Sequence, residues 1–177
     1  VAESSILLFN TLDVTKFEPG ELPLVTDQHH DLLQKLSEVQ AQVEVANAQQ
    51  SFNDAIYYRD ELRELFRLGQ ASLRERAWAE SLALDVMQQV KALLPEMRRI
   101  PKELEALHQD LADIYYANFS VFQSLPDTWA MDQVFPVMPV HRLGEEPQRE
   151  AILADLTCDC DGKIDLFVGG HKTLPVH

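Results

Sequence analysis

The sequence predicts an α+β fold: an antiparallel helical bundle, one strand before it, and the start of a β domain after it. Three observations carry that prediction. Apolar residues step by three and four through most of residues 26–116. The run "SSILLFNTL", Ser4 to Leu12, is continuously apolar at its centre, as in a buried strand of a parallel sheet. Beyond Tyr116 the helical period stops, and aromatic, proline-bearing sequence leads into strand-like segments.

Residues 1–25 are expected to hold the strand and a loop, "EPGELPLV", punctuated by Pro and Gly. The first helix can be capped by Thr26 or Asp27, and Leu32, Leu36, Val39, Val43 and Ala46 form its apolar seam. Asn47 to Ser51 reads as a polar break. Phe52, Ala55, Ile56, Leu62, Leu65 and Phe66 share the face of a second helix, with Gly69 placed to end it. Ser72 followed by Glu75 is a capping-box pattern that opens a third. Trp78, Leu82, Val86, Val90 and Leu93 continue as its stripe, and Pro95 stops it. Pro101 suits the first position of a fourth helix, carried by Leu104, Leu107, Leu111, Ile114 and Tyr115. Stripes at this spacing are how helices bury a face, and they need no cofactor to explain them. His29 and His30 fall in the first turn of a helix and are expected to face solvent. His108 has Ala112, not an acid or a histidine, four residues on, so it makes no His-x-x-x-Glu/His metal pair.

Residues 117–177 are read as the start of the β domain. "EAILADLTCD" and "GKIDLFV" form two strands around "CDG", and "NFSVFQSLPDTWAMDQVFPVMPVHRL" has no helical period.

With 177 residues, 46% of them hydrophobic, the chain can bury an ordinary core. Its formal charge of -14 repels phosphate backbones, which argues against nucleic-acid binding. The same acidity suits a cation-binding protein or a cytoplasmic setting. Two cysteines make no disulfide framework and point to a reducing compartment. No apolar run approaches the ~18 residues of a membrane span, and no basic leader precedes "ILLF". The chain opens on Val1 and closes on "KTLPVH", and both ends read as cuts through a longer polypeptide.

The stretch richest in reactive side chains is "DLTCDCDGKID", Asp155 to Asp165. Zinc is disfavoured: Cys158 and Cys160 are spaced C-x-C without a second pair. A calcium loop fails too. With Gly162 at the glycine position, Thr157 stands where the first acid belongs and Val168 where the closing glutamate belongs. Residues two apart on a strand sit about 6.5–7 Å from one another, near the limit for a disulfide. A tight turn shaped by Asp161 and Gly162, or a reactive thiol beside a carboxylate, remain. A carboxylate next to a thiol disfavours the thiolate, so Cys158 would suit proton donation. Asp159 would suit an amine or a guanidinium.

The residues "NFSVFQSLPDTWAMDQ", "HRLGEEPQREAILADLTCD" and "DGKID" resemble the biosynthetic arginine decarboxylases, in the form found in cyanobacteria. "RLGQASLRERAWAE" is similar to the helical segment before them, and "SILLFNTLDVTK" to the strand before the bundle. That family is of the alanine-racemase-like type. The resemblance implies a (β/α)8 barrel that binds pyridoxal phosphate, an inserted helical bundle and a C-terminal β domain, with this chain as a middle piece. It implies that Cys158 reaches the neighbouring subunit's cofactor and serves protonation after decarboxylation. Asp159 would hold the distal cationic group of arginine, Asp132 would be a second substrate-side acid, and Asp161 and Gly162 would shape the loop. It implies a homo-oligomer, dimeric or higher, and allows a magnesium ion. Two departures stand out. Cys160 occupies a position where the family usually has Ser, and "VAES" runs into "SILLF" without the family's Ser-Gly-Arg stretch and paired histidines. No lysine here, from Lys16 to Lys172, matches the family's cofactor lysine, so the fragment alone is expected to be inactive. A non-catalytic helical interaction module, or an inactive paralogue that partners a complete enzyme, are the rival classes.

Overall fold

The computed structural model describes residues 6–157 and 161–177, which form two compact units. Residues 18–107 make up one; the segment up to Phe17 and His108–His177 make up the other.

In the first unit α1 (Asp31–Ala41), α2 (Ala48–Arg67) and α3 (Leu73–Leu93) pack pairwise into a bundle. Leu33 and Leu36 of α1, Ala55 and Leu62 of α2, and Leu82, Val86 and Val90 of α3 are buried. Ala48, Ala55, Ala79 and Ala83 are buried too, and their small side chains let helix axes approach closely. Polar groups link the helices outside this core. Arg63 on α2 grips Glu80 on α3 through Nε and Nη2, at 2.5 and 2.7 Å. Asp85 on α3 accepts from Gln40 of α1 at 2.8 Å and from Gln89 at 2.7 Å.

Local chemistry sets most helix ends. Ser72 and Glu75 form the reciprocal capping box: the Glu75 amide donates to Ser72 Oγ, and the Ser72 amide donates to the Glu75 carboxylate. Those bonds from Ser72 hold the Glu75 carboxyl below the usual glutamate range. Gly69, at φ 72°, follows α2 in the left-handed conformation that glycine tolerates best. Pro95 lies in the 3₁₀ turn Leu94–Glu96 that closes α3.

Several expected boundaries move. The cap of α1 is His30, whose Nδ1 accepts from the Leu32 amide at 3.1 Å. Thr26 instead donates to His29 Nδ1, and the His29 ring meets Trp78 edge-on at 5.3 Å. Both histidines precede the helix, and both are half-buried where exposure was expected. The polar stretch after Asn47 is the first turn of α2, with Gln49 and Gln50 exposed.

The fourth helix does not form. Lys102–Leu104 is a 3₁₀ turn, α4 (Leu107–Asp110) is a single turn, and β3 (Asp113–Ala117) is a strand. Leu104, Leu107 and Leu111 are buried as their spacing suggests, but Ile114, Tyr115 and Tyr116 carry strand propensity.

The second unit holds a five-stranded mixed sheet and a separate two-stranded parallel one. β2 (Thr11–Thr15) runs antiparallel to β3, and β3 runs parallel to β5 (Arg149–Ala154). The other edge of β5 pairs antiparallel with β6 (Lys163–Ile164) and β7 (Leu174–Val176). β1 (Leu7–Phe9) pairs in parallel with β4 (Val137–Pro139), as its continuous apolar run suggests, but the expected single buried strand is divided between β1 and β2, and Ile6, Leu8 and Leu12 are exposed. The segment after Ala117, expected to be non-helical, contains α5 (Val121–Ser124) and α6 (Pro126–Met131). Phe9, Tyr115, Ala117, Val121, Leu153, Ile164 and Phe167 are among its core residues.

Asp113 alternates into the same row of β3 as Tyr115 and Ala117 and is 1% exposed. Arg149 of β5 grips it with Nε and Nη2, at 2.5 and 2.7 Å, and the Phe17 amide donates to it at 3.2 Å. Burial, the largest single influence, works against ionisation of Asp113. Arg149, the Phe17 amide and Lys16 together outweigh it and hold the carboxyl below the usual range.

Ser72→Ala removes the α3 cap and should cost about 1 kcal/mol in urea unfolding. Asp113→Asn removes the buried carboxylate charge that faces the Arg149 guanidinium. It should cost about 3 kcal/mol, at the low end for a broken buried pair because Arg149 remains 28% exposed. A depressed carboxylate stabilises above its unfolded pKa of about 3.9 and ceases to do so as pH falls through the folded value. The gap between parent and variant should therefore be full at neutral pH and shrink below about pH 4.

Candidate functional site

β5 ends at Ala154, and the next residue, Asp155, is 1% exposed. Its carboxylate accepts from the Val121 amide at 2.7 Å with one oxygen and from Thr157 Oγ1 at 2.9 Å with the other. Its own amide donates to the Gly162 carbonyl at 2.9 Å, one step beyond the β5–β6 pairs Ala154↔Lys163 and Leu153↔Ile164. Gly162 is buried. A Cβ at position 162 would overlap the Asp155 carboxylate, with Oδ2 nearest. Glycine is required there because the carboxylate occupies the space a side chain would need. Asp155 thus holds three pieces of chain together: the first turn of α5, the outgoing arm of a hairpin at Thr157, and its returning arm at Gly162.

Cys158, Asp159 and Cys160 lie outside the described residues. Asp161, the first described residue after them, is exposed. Asp132 follows α6 at φ 55°, with its amide donating to the Asp127 carbonyl, and is exposed. The chain just beyond it reaches the hairpin: Gln133, Val134 and Phe135 line one small crevice with Ile164 and Leu166. Asp132 and Gly162 are therefore each within two residues of the same crevice.

His108 finds a partner distant in sequence, with Nδ1 3.1 Å from Glu150. Among the described residues no group of three His, Cys, Asp or Glu converges as a metal site would. Among them, too, no helix is long and apolar enough to cross a membrane. The lysines are all exposed or half-buried. Lys35 bonds Asp31 at 2.6 Å, and Lys163 bonds Asp165 at 2.8 Å.

Comparison with known proteins identifies the bundle. The family described as the arginine decarboxylase helical bundle domain matches residues 26–108. Those residues belong to that family. The chain as a whole is 44% identical, over 167 residues and 94% of its length, to a biosynthetic arginine decarboxylase of Gloeobacter violaceus. It is 44% identical over 178 residues, 96% of its length, to one from Prochlorococcus marinus. It spans about a quarter of the length of these relatives: 26% and 27%. The crystal structure of the biosynthetic arginine decarboxylase from Campylobacter jejuni matches 96% of the chain at 33% identity, with a TM-score of 0.70, and 26% of that protein is covered.

The arginine decarboxylase resemblance rests most heavily on two stretches, one around α5–α6 and one around Asp155–Asp165. Asp155 is the residue that binds one to the other, and sequence reasoning assigned it no role. Its signal was an acid placed directly after the apolar strand "AILA", with glycine seven positions on. Its partner Val121 lies 34 residues away, beyond the reach of local pattern.

Gly162→Ala should force Asp155 out of its pocket. We expect a loss of about 3 kcal/mol in chemical unfolding, at the upper end for overpacking because both oxygens lose their donors. Adding Asp155→Gly to that variant removes the clash, so the second substitution should cost much less in the Gly162→Ala background than in the parent; equal costs would contradict the close approach.

Proposed function

We propose that this chain is part of an arginine decarboxylase that converts L-arginine to agmatine and carbon dioxide in cytoplasmic polyamine synthesis. The observation that carries the reading is the joining, through Asp155, of the two stretches that most resemble that enzyme family. Its supports are physical as well as familial. Arginine is a cation, and a chain of formal charge -14 attracts cations. A carboxylate matches the guanidinium fork with two parallel hydrogen bonds, the role proposed for Asp159. Asp132 would add a second acid on the substrate side. Cys158, beside an acid and so disposed to keep its proton, would deliver that proton to the carbon that has lost its carboxylate. Asp161 would complete the turn with Gly162.

Pyridoxal phosphate, when bound, supplies the electron sink for decarboxylation. Its covalent anchor is a lysine activated by burial or a cationic neighbour. Lys16, Lys35, Lys91, Lys102, Lys163 and Lys172 are each exposed or half-buried, and none fits that description. Asp31 raises the pKa of Lys35, first by a direct hydrogen bond and then by its charge, opposite to what imine formation needs. The cofactor would be held by residues outside this chain. In a homo-oligomer, Cys158 and Asp159 would face the cofactor of a neighbouring subunit.

In the full-length protein, Cys158→Ala should lower kcat by about 10²–10⁴-fold, the usual worth of a positioned proton donor, while the bound-cofactor absorbance persists. Undiminished agmatine production would remove Cys158 from the mechanism. The present chain alone, mixed with pyridoxal phosphate and arginine, should give neither imine absorbance nor agmatine.

A further inference from the structure

We propose that Trp129 is a specificity-determining residue for this reaction: its indole face is a platform on which the flat guanidinium of arginine stacks while Asp132 answers the charge. The inference deepens the reading of Asp132 as a substrate-side acid and rests on it.

Three observations support it. The first is how Trp129 is held. Its indole N–H donates to the Phe122 carbonyl at 3.4 Å, and its ring lies against the Phe122 ring at a tilt of 57°, with centroids 6.0 Å apart. Trp129 nevertheless remains 55% exposed, and Phe122 45%. The indole is oriented at its polar edge and backed by a second ring without being buried. A ring so oriented can receive a ligand at little further cost in conformational freedom.

The second is its place beside an acid. Trp129 lies in α6, and Asp132 follows three residues later, at the left-handed position that ends the helix. Residues three apart are neighbours on a helical surface. A carboxylate takes the N–H edge of a guanidinium and leaves its planar face free. Tryptophan is the best aromatic partner for that face. The two side chains together complement the end group of arginine.

The third is charge. Between Lys102 and Arg142 the sequence has no lysine or arginine, and Asp127 and Asp132 stand on either side of Trp129. Among the described residues neither of these carboxylates has an ion-pair partner. Among them, too, the cation–π contact is Arg76 over Phe66, so no cation of this chain covers the Trp129 ring.

The preference follows from hydration. A guanidinium is planar and weakly hydrated, and it stacks on a ring readily; an ammonium is compact and strongly hydrated. Trp129 therefore favours arginine over amino acids that end in an ammonium, a distinction a carboxylate alone makes less well.

The test uses the full-length, cofactor-loaded enzyme, with circular dichroism and cofactor absorbance as controls for folding. It measures inhibition of arginine decarboxylation by butylguanidine and by pentylamine, alkyl cations of similar length that differ in their charged group. Trp129→Leu should weaken butylguanidine about tenfold, the worth of a desolvated stacked cation, and change pentylamine by less than about twofold. KM for arginine should rise in parallel with little change in kcat, because the guanidinium is remote from the reacting carbon. Trp129→Phe keeps a ring and should retain most of the butylguanidine inhibition. A purely structural role predicts lower thermal midpoints and equal weakening of both probes. Equal weakening, or no change in either, overturns the proposal, as does a Trp129→Phe enzyme no better inhibited by butylguanidine than Trp129→Leu. If Trp129→Leu fails to fold, replacing tryptophan throughout by a difluoro analogue decides, since it keeps the ring's shape but depletes the negative charge of its face. A selective loss of butylguanidine inhibition, absent from the Trp129→Phe enzyme, supports the proposal; an unaltered ratio overturns it. Asp132→Asn is assayed alongside and should weaken both probes alike. If it changes neither, the reading of Asp132 has failed and the platform falls with it. If it weakens both while Trp129→Leu leaves their ratio unchanged, only the platform has failed.

Discussion

A carboxylate can be buried where Asp155 lies only if several conditions hold at once. An amide must point at one oxygen, which requires Val121 to open a helical turn on that side of the sheet. A hydroxyl must meet the other, which requires Thr157 to turn back two residues later. Position 162 must lack a side chain. Losing any one of them leaves an unsatisfied or displaced charge in the interior, at a cost well above that of a neutral hydrogen bond. The α5–α6 segment, the end of β5 and the hairpin beyond it therefore have a common determinant, although Val121 and Asp155 lie 34 residues apart in sequence.

The rest of the sheet follows a related rule. Asp113 lies in the buried row of β3, and its charge is answered by Arg149 from β5. The pair fixes the parallel register of the two strands, because a one-residue slip would turn Asp113 away from the guanidinium. The helical unit works differently. Its helices are matched by small residues on packed faces, with Arg63–Glu80 and the Asp85 cluster on the margins. No buried charge sets its register among the described residues.

This difference explains what could be read from sequence. The three long helices were legible because their determinants are local: an apolar stripe, the Ser72–Glu75 box, Gly69 and Pro95; the stripe of α1 was misplaced, since Leu33 and Leu36 are its buried pair and Val43 and the exposed Ala46 lie beyond its end at Ala41. The fourth helix was misread for the same reason. Leu104, Leu107 and Leu111 do have helical spacing and are buried, but single turns satisfy them. What makes the next residues a strand is pairing with Thr11–Thr15 and with β5, at separations no local pattern reports. The histidines show it on a small scale. His30 caps a helix instead of lying inside it, and His108 pairs with Glu150, 42 residues on. At the candidate site, the glycine and acids of the loop were visible as turn chemistry, and the family resemblance singled out Cys158 and Asp159. Asp155, which bonds both the Val121 amide and Thr157, was visible only as an acid at a strand end.

The topology explains why a charge was needed at that point. β6 pairs with β5 over two residues only, Leu153↔Ile164 and Ala154↔Lys163, because β7 takes the remainder of the same edge. A ladder that short does not by itself fix a hairpin; isolated two-stranded pairings are marginal even when longer. Beyond it the backbone adds one more bond, from the Asp155 amide to Gly162. The remaining restraint must come from side chains, and apolar contacts are poorly suited because they do not specify direction. A buried carboxylate does specify direction. It accepts along defined lone pairs and tolerates little displacement, since each bond it loses leaves charge uncompensated. The short β6, the glycine at 162 and the acid at 155 are therefore linked features. A hairpin whose returning strand is only two residues long gains a directional restraint at its base from Asp155, and that restraint leaves no room for a side chain at Gly162.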